Sequence, residues 1–356
     1  MNGKNRLLNA DLIRVIAMFM VIFLHTILNF TIRADFFVTK LYFLLEPIAA
    51  ISKTCVLLFF MLSGFLVISK NRTIKENLKK TSLKILLPLG FFTLVNIFYA
   101  WTKFSYNGSN GNQFISDQLH RMIRFPSSPL WFLVVLFFLY FLNPFWQLIF
   151  SKSKNLKLAR FLTASTLIFS LASAIIEHSV GKLDAISTNL TAWTSFVFFY
   201  LYGGLVRNKW IKINNQKLNL SLIGLGFTLT VLGDFFSMQQ EIINSSFFIW
   251  SNYTSSYLSI PVTMMAIGIF NFVLSINLSN FKFPVLAWIS NLSFGIYLIH
   301  IYVVSMLTDV IGFDFNRMQI NVYLYNLLNV LLVFSISMML TLFLKRIPKV
   351  KAIIGG

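Results

Sequence analysis

The sequence predicts an all-α, polytopic membrane protein of about ten transmembrane helices with both termini cytoplasmic. Three observations carry this reading. Of 356 residues, 57% are hydrophobic and only 12% charged, roughly half the charge of an ordinary soluble domain. Apolar runs long enough to cross a bilayer recur along the whole chain with short connections between them. Residues 1–356 therefore read as one membrane-embedded domain with no appended soluble one. The third observation is an alternation of basic residues. One set of connections carries 21 Lys and Arg and the alternate set 7, which places the richer set and both termini in the cytoplasm.

The spans fall near 9–29, 44–69, 82–102, 129–150, 158–177, 190–207, 218–238, 254–276, 284–307 and 321–344. The first is preceded by Lys4 and Arg6, as a signal peptide would be. It is nevertheless too long, is interrupted by charge and lacks a small-residue cleavage site, so it is a retained span. The second closes in FFMLSGFLVISKNR, where Ser63-Gly64 suits close helix packing or a local break. A basic segment with Arg72, Lys75 and Lys84 leads into the third. The connection from Lys103 to Ser128 opens on the turn-rich YNGSNGN. It continues as QFISDQLHRMIRF, spaced for a short amphipathic helix that is either a solvated loop helix or a lip over an outer site. The fourth span starts SSPLWFL, with Pro129 at a helix start and Trp131 where interfacial aromatics anchor. The ninth contains SFGIYLIH, with Tyr297 and His300 within one turn. A membrane-embedded histidine faces other helices rather than lipid, so a polar cluster with His25 is expected there.

A net charge of +19 raises the question of nucleic acid, but the basic residues sit in clusters between apolar runs, where they meet anionic lipid head groups. No basic stripe interleaved with aromatics is present, so no nucleic-acid surface is expected. Cys55 is the single cysteine and the acidic residues are scattered, so neither an intramolecular disulfide nor a metal site is expected. HExxH, a phosphate-binding glycine loop and a nucleophile elbow are all missing. A homo-oligomer is compatible with this pattern.

The chemistry gathers on the first span, NADLIRVIAMFMVIFLHTILNF, which keeps Asp11, Arg14 and His25 among apolar residues. Each such charge costs about 2.5–3.5 kcal/mol on insertion scales. Arg14 and His25 are eleven residues apart, three helical turns plus about 20°, so they share a face roughly 16 Å apart along the axis. Asp11 and Arg14, three apart, are placed to pair, which lowers the cost of both. Histidine can take a proton from a hydroxyl and return it, and arginine suits a phosphate or a polarised carbonyl. Glu46 and Lys53 near the second span, Glu177 and His178 after the fifth and Asp234 in the seventh are further polar candidates.

The run DLIRVIAMFMVIFLH, followed in order by LFFMLSGFLV, the basic segment closing in LKILLP, LWFL and SFGIYLIH, resembles the integral-membrane acyltransferase-3 family. The short single-domain form is closest to O-acetyltransferases acting on bacterial surface sugars. The resemblance implies a cell-membrane enzyme with no permanently bound cofactor. Its co-substrate would be acetyl-CoA or another acyl-CoA arriving from the cytoplasm, and its acceptor a carbohydrate hydroxyl near the outer face. It places the functional pair on Arg14 and His25. Arg72, Lys75 and Lys84 would hold the CoA phosphates, although the family often has Arg at the Lys84 position. Arg14 would guide the pantetheine arm or polarise the thioester, and His25 would act as general base or carry the acyl group. Asp11, Glu46, Ser63, Gly64, Trp131, Tyr297 and His300 would support the site or the acceptor. The competing reading is a transporter or flippase that exports a lipid-linked sugar or polysaccharide.

Overall fold

The structure, a computed structural model, describes residues 7–31, 40–70, 72–107, 130–150, 155–180, 193–244, 253–254, 256–278, 283–313 and 322–355. Every regular element among them is helical. Among the described residues, seven helices are long and apolar enough to cross a membrane, or eight if one pair bent by 51° counts as a span. The amphipathic segment expected before Ser128 lies outside the described residues.

Helix α1 (Leu8–Thr31) is the first span. The second, expected as one helix over 44–69, is broken into α2 (Lys40–Ser52) and α3 (Cys55–Val67). The break follows from its polar residues. Lys53 Nζ lies 3.3 Å from Asp234 Oδ2 and 3.6 Å from Glu46 Oε1, while Thr54 donates from its hydroxyl to the Ile51 carbonyl. A side chain bonded back to the preceding turn offers the backbone an alternative to the helical ladder. Asp234 is fixed in turn by Thr254, which donates to Oδ1 at 2.6 Å.

The basic segment expected as a connection is itself helical. Helix α4 (Ile74–Thr81) passes through a π-helical turn (Ser82–Leu86) into α5 (Leu87–Asn107). Thr73 accepts from the Glu76 amide and Glu76 accepts from the Thr73 amide, a reciprocal cap that starts the helix eight residues before the expected span. Helices α6 (Trp131–Phe141) and α7 (Asn143–Phe150) form the bent pair. A buried chain of polar side chains stabilises the bend. Tyr200 donates to Asn143, Asn143 to Asn77, and Asn77 to the Tyr140 carbonyl. These bonds tie the basic helix α4 to the core.

The remaining elements are α8 (Leu156–Val180), a 3₁₀ turn (Trp193–Phe196), α9 (Val197–Arg207), α10 (Gln216–Asn244), α11 (Ile260–Ser275), α12 (Pro284–Ser305) with a π-helical turn (Met306–Val310) after it, α13 (Val322–Lys345) and α14 (Pro348–Lys351). They form two layers. The second span is 72% buried, whereas α10 and α13 are 17% and 22% buried and turn residues such as Phe236 and Phe343 outward. Helix α9 is buried at every position from Val197 to Val206, as expected of a helix apolar all round. It meets α3 backbone to backbone. A methyl group added at Gly64 would strike the Tyr200 carbonyl, and one at Gly203 the Met61 carbonyl. Of the two roles the sequence left open for Ser63-Gly64, close packing belongs to Gly64.

Helix α1 sits at the centre of the inner layer, packed on α2, α3, α11, α12 and α13. Asn9 fixes its start by donating to the Val273 and Ile276 carbonyls at the end of α11. Helix α12 lies parallel to α1, because Arg14 meets Ser290 near the start of both and His25 meets His300 about three turns on.

Candidate functional site

The site begins where α1 and α12 meet. Asp11 is 4% exposed and Arg14 half-buried. Arg14 Nη1 donates to Ser290 Oγ at 2.8 Å, and Ser290 Oγ donates to Asp11 Oδ1 at 2.6 Å. The direct Asp11–Arg14 contact is longer, at 3.5 Å, so the expected pair is made with a serine bridging it. This holds the guanidinium toward the interior with its charge partly compensated.

Arg14 lies between two adjoining cavities of about 360 Å³ each. The first is lined by Asp11, Ser69, Lys70, Arg207 and Asn291, the second by Ser63, Lys84, Tyr140, Ser290, Ser293 and Tyr297. Arg14, Leu66 and Asn291 line both, so the two form one path. Its mouth is strongly basic. Burial, followed by the nearby charges of Arg72, Lys84, Lys80 and Arg207, holds the Lys70 ammonium below the usual lysine range. A group so placed gains from an anion that neutralises the cluster. Arg207 is also held over the Phe65 ring, 5.2 Å from its centroid.

Among the expected donor-binding cations, Lys84 lines the path and Arg72 stands beside Lys70, whereas Lys75 is exposed on α4 and lines neither cavity. Lys70, Arg207, Ser290 and Asn291 are additions from the structure. Replacing Lys70 and Arg207 together by Met and Gln is expected to raise KM for an acyl-CoA donor about tenfold with little change in kcat. That corresponds to about 1.4 kcal/mol of lost ionic contact, and steady-state kinetics in detergent would measure it. An unchanged KM would remove both residues from the donor site.

The far end of the path is aromatic. The Tyr297 ring lies 5.4 Å from Phe132, 6.2 Å from Phe59 and 5.7 Å from His300. His300 in turn lies 5.1 Å from His25. The cluster expected of Tyr297, His300 and His25 is therefore assembled. Trp131 packs behind it on Phe196 and Tyr257 and lines neither cavity. Glu46 belongs to the separate Lys53–Asp234 cluster at the broken span. Glu177 is exposed at the end of α8, where His178 bonds the Ala174 carbonyl.

The described helices thus carry a basic mouth, a half-buried arginine on an internal path, and a histidine pair beyond it. The model of the acyltransferase domain family Acyl_transf_3 matches residues 7–346, nearly the whole chain, and the protein belongs to that family of membrane acyltransferases. Neither a curated protein nor a solved structure matches the chain.

Proposed function

We propose that the protein moves an acyl group, acetyl in our reading, from cytoplasmic acyl-CoA to a hydroxyl of a surface polysaccharide or glycolipid sugar. Its setting would be the bacterial cell membrane, with ten spans and both termini cytoplasmic. The observation that carries this is the path that starts among Lys70, Arg207 and Lys84, passes Arg14 and ends at Tyr297 against the histidine pair. The phosphates of CoA suit the basic mouth, and the narrow pantetheine arm suits a passage bordered by Leu62, Leu66 and Leu136. Arg14 would lie where the arm passes and would guide it or polarise the thioester.

In the direct route, the sugar oxygen bonds to the thioester carbon as His25 takes the hydroxyl proton. The carbon–sulfur bond then breaks, and the proton goes to the departing thiolate. In the covalent route, a His25 nitrogen bonds to the thioester carbon and the carbon–sulfur bond breaks, releasing CoA thiolate. The sugar oxygen then bonds to the acyl carbon as the carbon–nitrogen bond breaks, and the hydroxyl proton goes to the thiolate.

The test is reconstitution in sealed vesicles with radiolabelled acetyl-CoA on one side and glycan on the other, followed by mass spectrometry. The expected result is glycan heavier by one acyl group, with equimolar release of free CoA. Label remaining on CoA, while the glycan crosses unmodified, would replace this reading by the export reading.

A further inference from the structure

We infer that His300 is a positioning residue that acts through His25. It selects which His25 nitrogen is bare and shares the charge that His25 acquires during transfer. The inference rests on His25 being the base proposed above.

The tautomer of His300 follows from its surroundings. His300 is 0% exposed, and its Nδ1 lies 2.6 Å from the Tyr297 carbonyl oxygen. A carbonyl only accepts, so Nδ1 must carry the hydrogen. In the neutral ring, Nε2 then presents a lone pair. That atom is fully buried and has no hydrogen-bond partner. Buried acceptors are satisfied in the great majority of cases, so a bare one beside a reactive group needs an explanation.

The neighbouring ring supplies one. The His25 and His300 centroids are 5.1 Å apart, with planes inclined by 51°. A ring nitrogen lies about 1.2 Å from its centroid, so an N–H···N bond of about 2.9 Å requires centroids roughly 5.3 Å apart. At this separation, rotation of the His25 ring about its side-chain torsions is the motion that would bring an N–H onto His300 Nε2. With one nitrogen committed as donor, the other is necessarily bare and available to the substrate hydroxyl. When His25 takes the hydroxyl proton, the resulting imidazolium donates more strongly to the same acceptor. His300 gains no net proton, and the proton that His25 holds leaves with the CoA thiolate. The oriented imidazole of a hydrolytic triad follows the same logic, with a carboxylate in place of the second ring.

Two replacements separate this role from packing. His300→Asn keeps a donor near the Tyr297 carbonyl and removes the acceptor at the Nε2 position. His300→Gln places an amide oxygen close to where Nε2 stood. Acetyl transfer by the full-length protein in detergent is expected to fall 10- to 100-fold in kcat for His300→Asn, with KM for acetyl-CoA unchanged. His300→Gln is expected to recover a substantial part of the loss. In a His25→Ala background, His300→Asn should cost nothing further, because the second residue acts only through the first. Asn and Gln variants of equal activity, or a full additional loss on top of His25→Ala, would overturn the inference. Wild-type turnover in His25→Ala alone would instead remove the proposed base, so the two failures are distinguishable.

Discussion

His25→Ala is expected to lower acyl transfer by about 10²- to 10⁴-fold, the range that a positioned proton-transfer group contributes. The variant should still be inserted and should bind donor normally. The reason is spatial. His25 lies about 16 Å along α1 from Arg14, beyond Tyr297 at the end of the path, and lines neither cavity. Its loss should therefore appear in kcat and leave donor affinity intact, whereas Arg14→Ala should affect both. The two ends are separable by measuring donor binding calorimetrically and transfer by label release on the same preparations. Transfer at the wild-type rate by purified His25→Ala would refute the assignment of the base.

The second large effect concerns packing. Gly203→Val is expected to destabilise the folded protein by about 3 kcal/mol or more, at or beyond the upper end of ordinary overpacking. A side chain at this position meets the Met61 carbonyl and the Phe65 amide nitrogen on α3, and backbone has no rotamer with which to yield. Gly64→Val should act in the same way from the opposite side, against Tyr200. Gly90→Val, at a position where nothing lies within 4 Å, provides the control in the same protein. The readout is the thermal unfolding midpoint in one detergent at one protein concentration. A midpoint for Gly203→Val equal to that of the Gly90 variant would show that α3 and α9 do not touch at their backbones.

How much of this was legible in the sequence depended on the kind of signal each residue leaves. Charges in an apolar helix are conspicuous, and an eleven-residue spacing implies a shared face, so Asp11, Arg14 and His25 stood out before any tertiary contact was known. The Tyr297–His300 turn could be linked to His25 because a buried histidine requires polar company. Ser290 left no such trace. A serine in an apolar helix carries neither charge nor period, and only the packing of α12 alongside α1 shows that it bridges Asp11 and Arg14. Lys70 and Arg207 were hidden for the opposite reason, as two among many basic residues that all serve orientation equally well. Their distinction lies in facing the same cavity, Lys70 from the bend after α3 and Arg207 from the end of α9. The early start of α4 is marked by the Thr73–Glu76 pair, a local signal. The break at Lys53 is a tertiary outcome that depends on Asp234, 181 residues away.

The two-layer construction has a consequence for how the protein meets its membrane. Helices α8 and α13, 25 and 24 residues long, span about 36–38 Å and form part of the lipid-facing layer. Inner α9, with 11 residues, covers only about 16 Å. When the bilayer thickens or thins, hydrophobic mismatch is taken up by tilt of the outer helices. The Arg14-to-His25 distance is fixed along one inner helix and does not follow. The spacing between the arginine and the histidine is therefore a property of the chain rather than of the lipid, and is the same in membranes of different composition.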